Sequence, residues 1–320
     1  MFLVTGCAGF IGSSLVRKLL IKKKKVIGID NLSTGNRKNM NSFLKDKNFF
    51  FFKRDIKKLD SIKKLFKNVK VVFHLSANAD VRFGPQNLDL DLKENTLGTF
   101  NVLESMRLNS VKEILFSSTG SIYGETNVIP TPENCPFPVQ TSLYASSKLA
   151  CESLIQSYCE YFDFKSWIFR FVSILGPGYS HGHVYDFYKQ LKRDCKKLKV
   201  LGDGYQTKSY LHVDDCLDAI FLAYKKSKSK INIFNLGTDE TVTVRESINV
   251  ITNYLGFNPK CIYGKSNRGW AGDNPLIYLD TKKIRSLGWK NKFTIKESLE
   301  HTLQYLIDNQ WILKKEKLVS

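Results

Sequence analysis

Short apolar runs alternate with helical patterns through the first half of the chain. "MFLVTG" reads as a strand and residues 10–21 as a helix; "KVIGID" is a second strand and "FFFFKRDI" a third. "SIKKLFKN" has helical spacing, "VKVVFHLSA" is another buried strand, residues 93–108 are helical, and "VKEILFSS" is again a strand. Residues 142–161 form a helix before "SWIFRFVSIL", read as one strand. Strands that are apolar almost throughout, each followed by a helix, predict an α/β fold with a doubly wound parallel sheet covered on both faces. The second half is less regular. "GPGYSHGH" and "VLGDGYQTKSY" are rich in turn residues, "HVDDCLDAIFLAY" is helical, "KINIFNLG" is a strand returning to the sheet, and helices are expected at 243–255 and 295–308. The pattern predicts a sheet domain from 1–172 plus 211–237. A smaller, discontinuous C-terminal domain from 173–210 plus 238–320 closes over the sheet's carboxyl edge.

Bulk properties narrow the function classes. At 320 residues and 42% hydrophobic content the chain is long enough for a substantial core. No run of about 18 apolar residues is present, which predicts no membrane span. "MFLVTG" enters a strand directly, without the pattern of a secretory leader, so a cytoplasmic protein is expected. The seven cysteines are scattered and lack a Cys-x-x-Cys pair, which predicts reduced thiols and neither disulfides nor a zinc site. The net charge of +19 invites a nucleic-acid reading. Its lysines are spread along the chain and no nucleic-acid-binding signature accompanies them, so no nucleic-acid partner is expected. A positive field also suits an anionic small substrate.

The first chemical signal is "VTGCAGFIG", where Gly6, Gly9 and Gly12 lie between a strand and a helix. Such a turn lets backbone approach a pyrophosphate without side-chain intrusion, and the helix start presents N–H groups to it. The second strand ends in Asp30, eighteen residues past Gly12. An acid there can bond both ribose hydroxyls and repels a 2′-phosphate, which favours NAD over NADP.

The second signal is "YASSK". Tyr144 and Lys148 are four apart and share one helix face. A tyrosine ionises near pH 10, so a base working near pH 7 needs a drop of about three units, roughly 4 kcal/mol. One cation about 4 Å away at an effective dielectric of about 20 supplies that much. Lys148 is expected to be that cation. The hydroxyls of "SSTGSIYG" sit just past the preceding strand.

Together these stretches resemble the extended short-chain dehydrogenases, and within them the NAD-dependent nucleotide-sugar epimerase/dehydratase family. Further carriers of the resemblance are "DNLSTG", "VFHLSANADV", "NTLGTFNVLE", "YLHVDD", "FNLG" and "RGWAGD". The resemblance implies a seven-stranded Rossmann sheet, a small sugar-nucleotide domain, tightly held NAD and a homodimer formed through the helices at 93–108 and 142–161. It implies that Gly6, Gly9, Phe10, Ile11 and Gly12 hold the pyrophosphate, Asp30 and Asn31 the adenosine ribose, and Asp55 and Ile56 the adenine. Leu75, Ser76 and Ala77 then line the cofactor, Tyr144 is the base and Lys148 anchors the nicotinamide ribose. Thr119 takes the position that bonds the reacting sugar hydroxyl, with Ser121 beside it.

Reactions in this family begin with loss of the sugar O4 proton and transfer of hydride from C4 to NAD. Its 4,6-dehydratases carry an Asp-Glu pair after the threonine, where this chain has Gly120 and Ser121. Its UDP-glucuronate decarboxylases carry a glutamate where Ser121 stands. Subtraction leaves C4 epimerisation of a UDP-hexose, with UDP-glucose/UDP-galactose as the default pair. A UDP-glucuronate 4-epimerase and a one-way C4 dehydrogenase are the alternatives, and a nicotinamide-sensing regulator is the reading from another class. The chain departs from the family at Ser173, usually asparagine, at Lys208, usually arginine, and in "GPGYSHGH". Lys208 can meet a phosphate as a point charge and Arg268 as a fork, or both are surface cations. Arg82 either faces a sugar carboxylate or phosphate or is a surface arginine. His181 and His183 either shape the sugar pocket or occupy a loop.

Overall fold

The computed structural model describes residues 1–78 and 86–314. In chain order, β1 (Phe2–Thr5), α1 (Phe10–Ile21), β2 (Val26–Asp30) and β3 (Phe49–Lys53) come first. The short α2 (Leu59–Ile62) leads to β4 (Val71–His74), a π-helical turn at Leu92–Leu97, α3 (Gly98–Leu108) and β5 (Glu113–Thr119). Next come α4 (Leu143–Phe162), β6 (Lys165–Phe171), β7 (Ser173–Leu175), α5 (His183–Arg193), β8 (Lys197–Val200), β9 (Thr207–Lys208) and β10 (Tyr210–His212). The chain continues with α6 (Val213–Lys226), β11 (Ile231–Leu236), β12 (Val242–Thr243), α7 (Val244–Leu255), β13 (Lys260–Tyr263), β14 (Leu276–Ile277), α8 (Lys282–Ser286) and α9 (Ile295–Asp308).

Seven strands form one parallel sheet in the order β11-β6-β5-β4-β1-β2-β3. β2 and β4 are buried along their whole length, because helices cover both faces. Leu15, Val16 and Leu19 of α1 pack with Leu217 and Ile220 of α6 against one face. Val102, Leu103 and Met106 of α3 pack with Cys151 and Ile155 of α4 against the other. Strand order reverses between β1 and β4, and a crevice opens outside the carboxyl ends of strands at such a point.

One expected strand divides. "SWIFRFVSIL" leaves the large sheet at Val172, and its last residues become β7, paired with β10 in a separate two-stranded sheet. The large sheet runs out there: β11 ends at Leu236, whose carbonyl accepts the Val172 N–H, so beyond that point a continuing strand has no neighbour. The remaining small sheets, β12-β9-β14 and β13-β8, lie in the C-terminal half. β8, β13 and Val242 of β12 share a third core with α5, α7 and α9, built on Tyr188, Leu191, Leu198, Ile251, Leu299 and Leu303, while Ile277 of β14 packs against the first. Five of the seven cysteines are buried thiols. Among the described residues no helix is long and apolar enough to cross a membrane.

Candidate active site

The glycine turn is fixed by steric exclusion. Gly6 has φ of +72°, and a Cβ there would lie 2.9 Å from the Ser76 nitrogen and 3.0 Å from the Leu75 carbonyl carbon. β1 and β4 thus meet backbone to backbone at the reversal point. A Cβ on Gly12 would lie 2.0 Å from the Gly6 oxygen, so the first turn of α1 also needs a bare backbone. Helix α1 starts at Phe10 behind Gly9 with no side-chain cap and no acid in its first turn. The amides of Phe10, Ile11 and Gly12 are therefore donors to a bound anion. Phe10 itself packs edge-on to Tyr179, with ring centroids 5.9 Å apart.

Asp30 ends β2 in a half-closed pocket. It accepts the Ala8 N–H at 2.9 Å and the Leu32 N–H at 2.8 Å. Asn31 accepts from the Ser33 amide and hydroxyl at 2.9 and 2.8 Å. Leu75 and Ser76 both donate backbone N–H groups to Thr5 Oγ1 at 3.2 Å. Asp55 caps the Lys57 amide at 2.9 Å, and Ile56 is buried beneath Gly98. A bare phosphate turn, an acid at the end of the second strand and an apolar flank fit the pyrophosphate, ribose and adenine of NAD.

Helix α4 starts at an N-cap, Ser142, whose side chain accepts the Ala145 N–H at 3.1 Å. That cap sets the phase that turns Tyr144, Ser147 and Lys148 inward. The Tyr144 phenol lies beside the Thr119 side chain, which favours its ionised form. Thr119 donates to Ser121 Oγ at 3.2 Å and accepts the Ser121 N–H at 3.1 Å. Thr119, Ser121 and Tyr144 therefore form one hydroxyl cluster past the end of β5, and no carboxylate bonds to it among the described residues.

Lys148 does not act on Tyr144 as expected. Its ammonium donates to the Ser117 carbonyl at 2.6 Å and stands 4.5 Å from the centre of the Phe116 ring. Burial pushes the Tyr144 phenol well above its usual value, with Thr119 pulling the other way. Burial also brings Lys148 down to about 8. In the chain alone the pair is desolvated rather than ion-paired, so the cation effect expected at i, i+4 is outweighed by loss of water.

Several groups with structural influence on the site had no sequence signal of their own. Glu152, one turn beyond Lys148, is fully buried and takes a bidentate pair from Arg170 at 3.1 and 2.7 Å. Ser118 donates to the same carboxylate, so the residue before Thr119 is locked to α4. Arg170 also donates to the Tyr123 hydroxyl at 2.7 Å. An acid four residues after a helix-borne lysine was a visible spacing, but its partner lies on the next element, β6. On the other side of α4, Asn78, Asp91, Asn95 and Ser147 form a buried hydrogen-bonded set.

At the C-terminal side of the cleft, Lys208 and Arg268 are both paired, Lys208 mostly buried and Arg268 partly exposed. Lys208 pairs with the buried Asp273 at 2.5 Å and lies 5.0 Å from the centre of the Trp270 ring. Arg268 pairs with Glu125 at 2.5 Å and donates to the Asp273 carbonyl at 3.1 Å. Thr141, just before the cap of α4, donates to Asn274 Oδ1 at 2.9 Å, tying this loop to the catalytic helix. Ser173 is exposed at the start of β7. His183 is no loop residue: it begins α5, bonds Ser247 at 2.8 Å, and burial followed by the Lys208 charge lowers it to about 3. His181 stacks on Tyr179 at 6.2 Å. Ala77 follows Ser76 past β4 as part of the same segment, and Arg82 lies outside the described residues.

Comparisons with known proteins bear on the family and the fold. The family model for the NAD-dependent epimerase/dehydratase family matches residues 2–237. A Methanocaldococcus jannaschii protein provisionally named a UDP-glucose 4-epimerase is 35% identical over 315 residues, 97% of this chain and 99% of its own. The crystal structure of Thermotoga maritima UDP-glucose 4-epimerase with UDP-glucose superposes with a TM-score of 0.87 at 30% identity, covering 97% of this chain and 99% of that one. Bacillus cereus UDP-glucuronic acid 4-epimerase, solved with UDP-glucuronic acid and NAD, gives 0.88 at 27% identity, covering 96% and 99%. A family match across most of the chain, on a sheet that reverses direction at a bare glycine turn, means that this protein belongs to the NAD-dependent epimerase/dehydratase family.

Proposed function

We propose that the chain is a nucleotide-sugar 4-epimerase that inverts C4 of a UDP-hexose, with UDP-glucose and UDP-galactose as the pair. One observation carries the choice of reaction: the cluster of Thr119, Ser121 and Tyr144 contains hydroxyls only. Eliminating water from the sugar calls for an acid and a base beyond Tyr144. Gly120 and Ser121 supply neither, and the nearby Glu125 is held by Arg268.

Bound NAD would supply a hydride acceptor for C4, from which the hydride can return to the opposite face. Gly6, Gly9, Phe10, Ile11 and Gly12 hold its pyrophosphate through backbone N–H groups, and Asp30 and Asn31 hold the adenosine ribose. Asp55 and Ile56 flank the adenine, while Leu75, Ser76 and Ala77 line the inner wall. Tyr144 takes and returns the O4 proton. Thr119 orients the same sugar hydroxyl and offers a hydrogen bond that favours the phenolate. Lys148 anchors the nicotinamide ribose and adds positive charge, lowering the phenol in the loaded enzyme as burial alone cannot. Lys208 and Arg268 hold the diphosphate, exchanging Asp273 and Glu125 for it in part. Ser173 and Ser121 face the sugar. This role assigns the parts at 173–210 and 238–320 to nucleotide-sugar binding.

A homodimer through the helices at 92–108 and α4 belongs to the same reading. Support comes from a shallow apolar groove where Leu92, Leu97, Phe100 and Leu154 converge, with Leu92 60% exposed. Sedimentation is expected to give twice the chain mass.

The deciding experiment presents the purified protein separately with UDP-glucose, UDP-glucuronate, UDP-N-acetylglucosamine and GDP-mannose, without added cofactor, and follows products by NMR. UDP-galactose from UDP-glucose supports the proposal and shows that NAD is retained through a closed hydride cycle. UDP-galacturonate alone replaces the substrate. A keto sugar accompanied by stoichiometric NADH absorbance overturns epimerisation.

A further inference from the structure

One deeply buried carboxylate near the hydride-transfer groups has an oxygen that nothing engages. Asp91 opens onto the π-helical turn and is 1% exposed. Its Oδ1 accepts from Asn78 Nδ2 at 2.9 Å and from Asn95 Nδ2 at 3.3 Å. Its Oδ2 has no hydrogen-bond partner among the described residues. An unpartnered buried oxygen on a charged group destabilises a fold, so its presence calls for a reason.

The donors around it lead to the site. The Asn78 N–H, just past the cofactor-lining strand β4, donates to Asn95 Oδ1 at 2.8 Å. Asn95 Nδ2 also donates to Ser147 Oγ at 2.8 Å, and Ser147 donates to the Tyr144 carbonyl at 2.8 Å. Two side chains therefore separate Asp91 from the turn of α4 that carries Tyr144 and Lys148. The widened turn at Leu92–Leu97 is what lets Asn95 reach both.

We propose that Asp91 is a positioning residue for hydride transfer: an internal counter-charge that holds the Lys148 side chain as an ammonium ion beside Tyr144. The proposal rests on the reading of Tyr144 and Lys148 as the active pair. The other groups around them are already committed among the described residues. Glu152 is paired with Arg170, Asp89 with Lys93, and Glu94 with Lys57. Cys151 is kept a neutral thiol by burial, and His74 is kept a neutral imidazole, bonded to Thr5 and Thr99. Cys151 and Glu152 also act on Lys148, ahead of Asp91, but Asp91 is the carboxylate whose charge acts on both Lys148 and Tyr144; burial raises its own ionisation, and Lys148 with the Asn78 and Asn95 bonds pulls the other way.

The sign of the effect is distinctive. A nearby negative charge favours the protonated form of both neighbours. Its removal lowers the pH at which Lys148 and Tyr144 each give up a proton. In a pH–rate profile the acid limb reports Tyr144 losing its proton, and the alkaline limb reports Lys148 ceasing to be a cation. Asp91→Asn is expected to slide both limbs to lower pH by roughly one unit, leaving the bell about as wide. A purely structural contribution lowers the maximum and leaves both limbs in place.

The test uses the NAD-loaded enzyme and four forms: parent, Asp91→Asn, Asp91→Ser and Tyr144→Phe. Tyr144→Phe near parental turnover means that the active pair is misassigned, and the proposal goes with it. With Tyr144→Phe inactive, a downward shift of both limbs in Asp91→Asn and Asp91→Ser supports the proposal, and unshifted limbs overturn it alone. If an Asp91 variant turns over too slowly for a profile, the tyrosinate absorbance of Tyr144 replaces it, taken as the difference from the matching Tyr144→Phe enzyme. A midpoint lower by roughly one unit supports the counter-charge, and a coincident midpoint overturns it.

Discussion

At the Gly6 and Gly12 positions a single methyl group has no room, while at the Lys208–Asp273 end of the cleft three polar pairs hold side chain to side chain. The first region is made of backbone, with an added Cβ on Gly12 reaching 2.0 Å from the Gly6 oxygen. The second is made of exchangeable pairs, Lys208 with Asp273, Arg268 with Glu125 and Thr141 with Asn274. A backbone cradle is organised before its ligand arrives and has one shape. A side-chain cradle must trade internal partners for the ligand, so its identity can drift while the trade still balances. Of the departures from the family pattern, Lys208 falls on that second side, whereas Tyr179 of "GPGYSHGH" packs on Phe10 at the first.

The contrast can be broken first at the glycine turn. Gly12→Ala is expected to cost about 3 kcal/mol or more, seen as loss of copurifying NAD by at least roughly a hundredfold. An alanine variant that retains its NAD removes the claim that backbone contact defines this end. Between the two regions lies Lys148. Its side chain titrates near 8 in the fold and at 10.5 ordinarily, so between those values the unfolded chain binds more protons and stability rises with pH. Relative to Lys148→Met, the parent without NAD is expected to gain roughly 3 kcal/mol across that window. The comparison with the variant is needed because buried thiols such as Cys7 and Cys216, raised by burial, act in the opposite direction over the same range. Chemical unfolding at pH 7, 8.5 and 10 reads the difference, and parallel curves refute it.

Smaller effects are expected where pairs exchange. Lys208→Met strands the buried Asp273 and removes a phosphate contact; KM for the UDP-sugar is expected to rise about tenfold with kcat changed much less. A fall in kcat with unchanged KM argues against a diphosphate site there. Smallest is Glu125→Gln, which releases Arg268 from a half-exposed pair. KM is expected to fall about twofold, with the gain fading as salt is raised. A rise in KM instead shows that Glu125 orients the arginine rather than competing for it.

Much of the sheet region was legible from the chain alone, and the reasons are local. A parallel sheet buried on both faces writes itself as continuous apolar runs, and a phosphate turn needs glycines at set spacing. Both requirements are met within a few consecutive residues. The break at Val172 was invisible because "SWIFRFVSIL" stays apolar on both sides of it. One half is buried by the large sheet and the other by β10. Tyr144 and Lys148 were found by spacing, yet their electrostatics came out reversed. Spacing places two side chains on one face but says nothing of how much water remains, nor that the Lys148 ammonium has the Ser117 carbonyl to bind.

The one-dimensional pattern therefore settles the α/β class, the glycine turn with Asp30 at the end of the next strand, and the helix face that carries Tyr144 and Lys148. All of these follow from backbone periodicity and residue chemistry at short range. Tertiary packing alone decides that Thr119, Ser121 and Tyr144 meet, that Glu152 answers Arg170, and that Asp91 is buried with an oxygen to spare. Those contacts join residues up to tens of positions apart. Their energies depend on desolvation, which no residue possesses until the whole chain has closed around it.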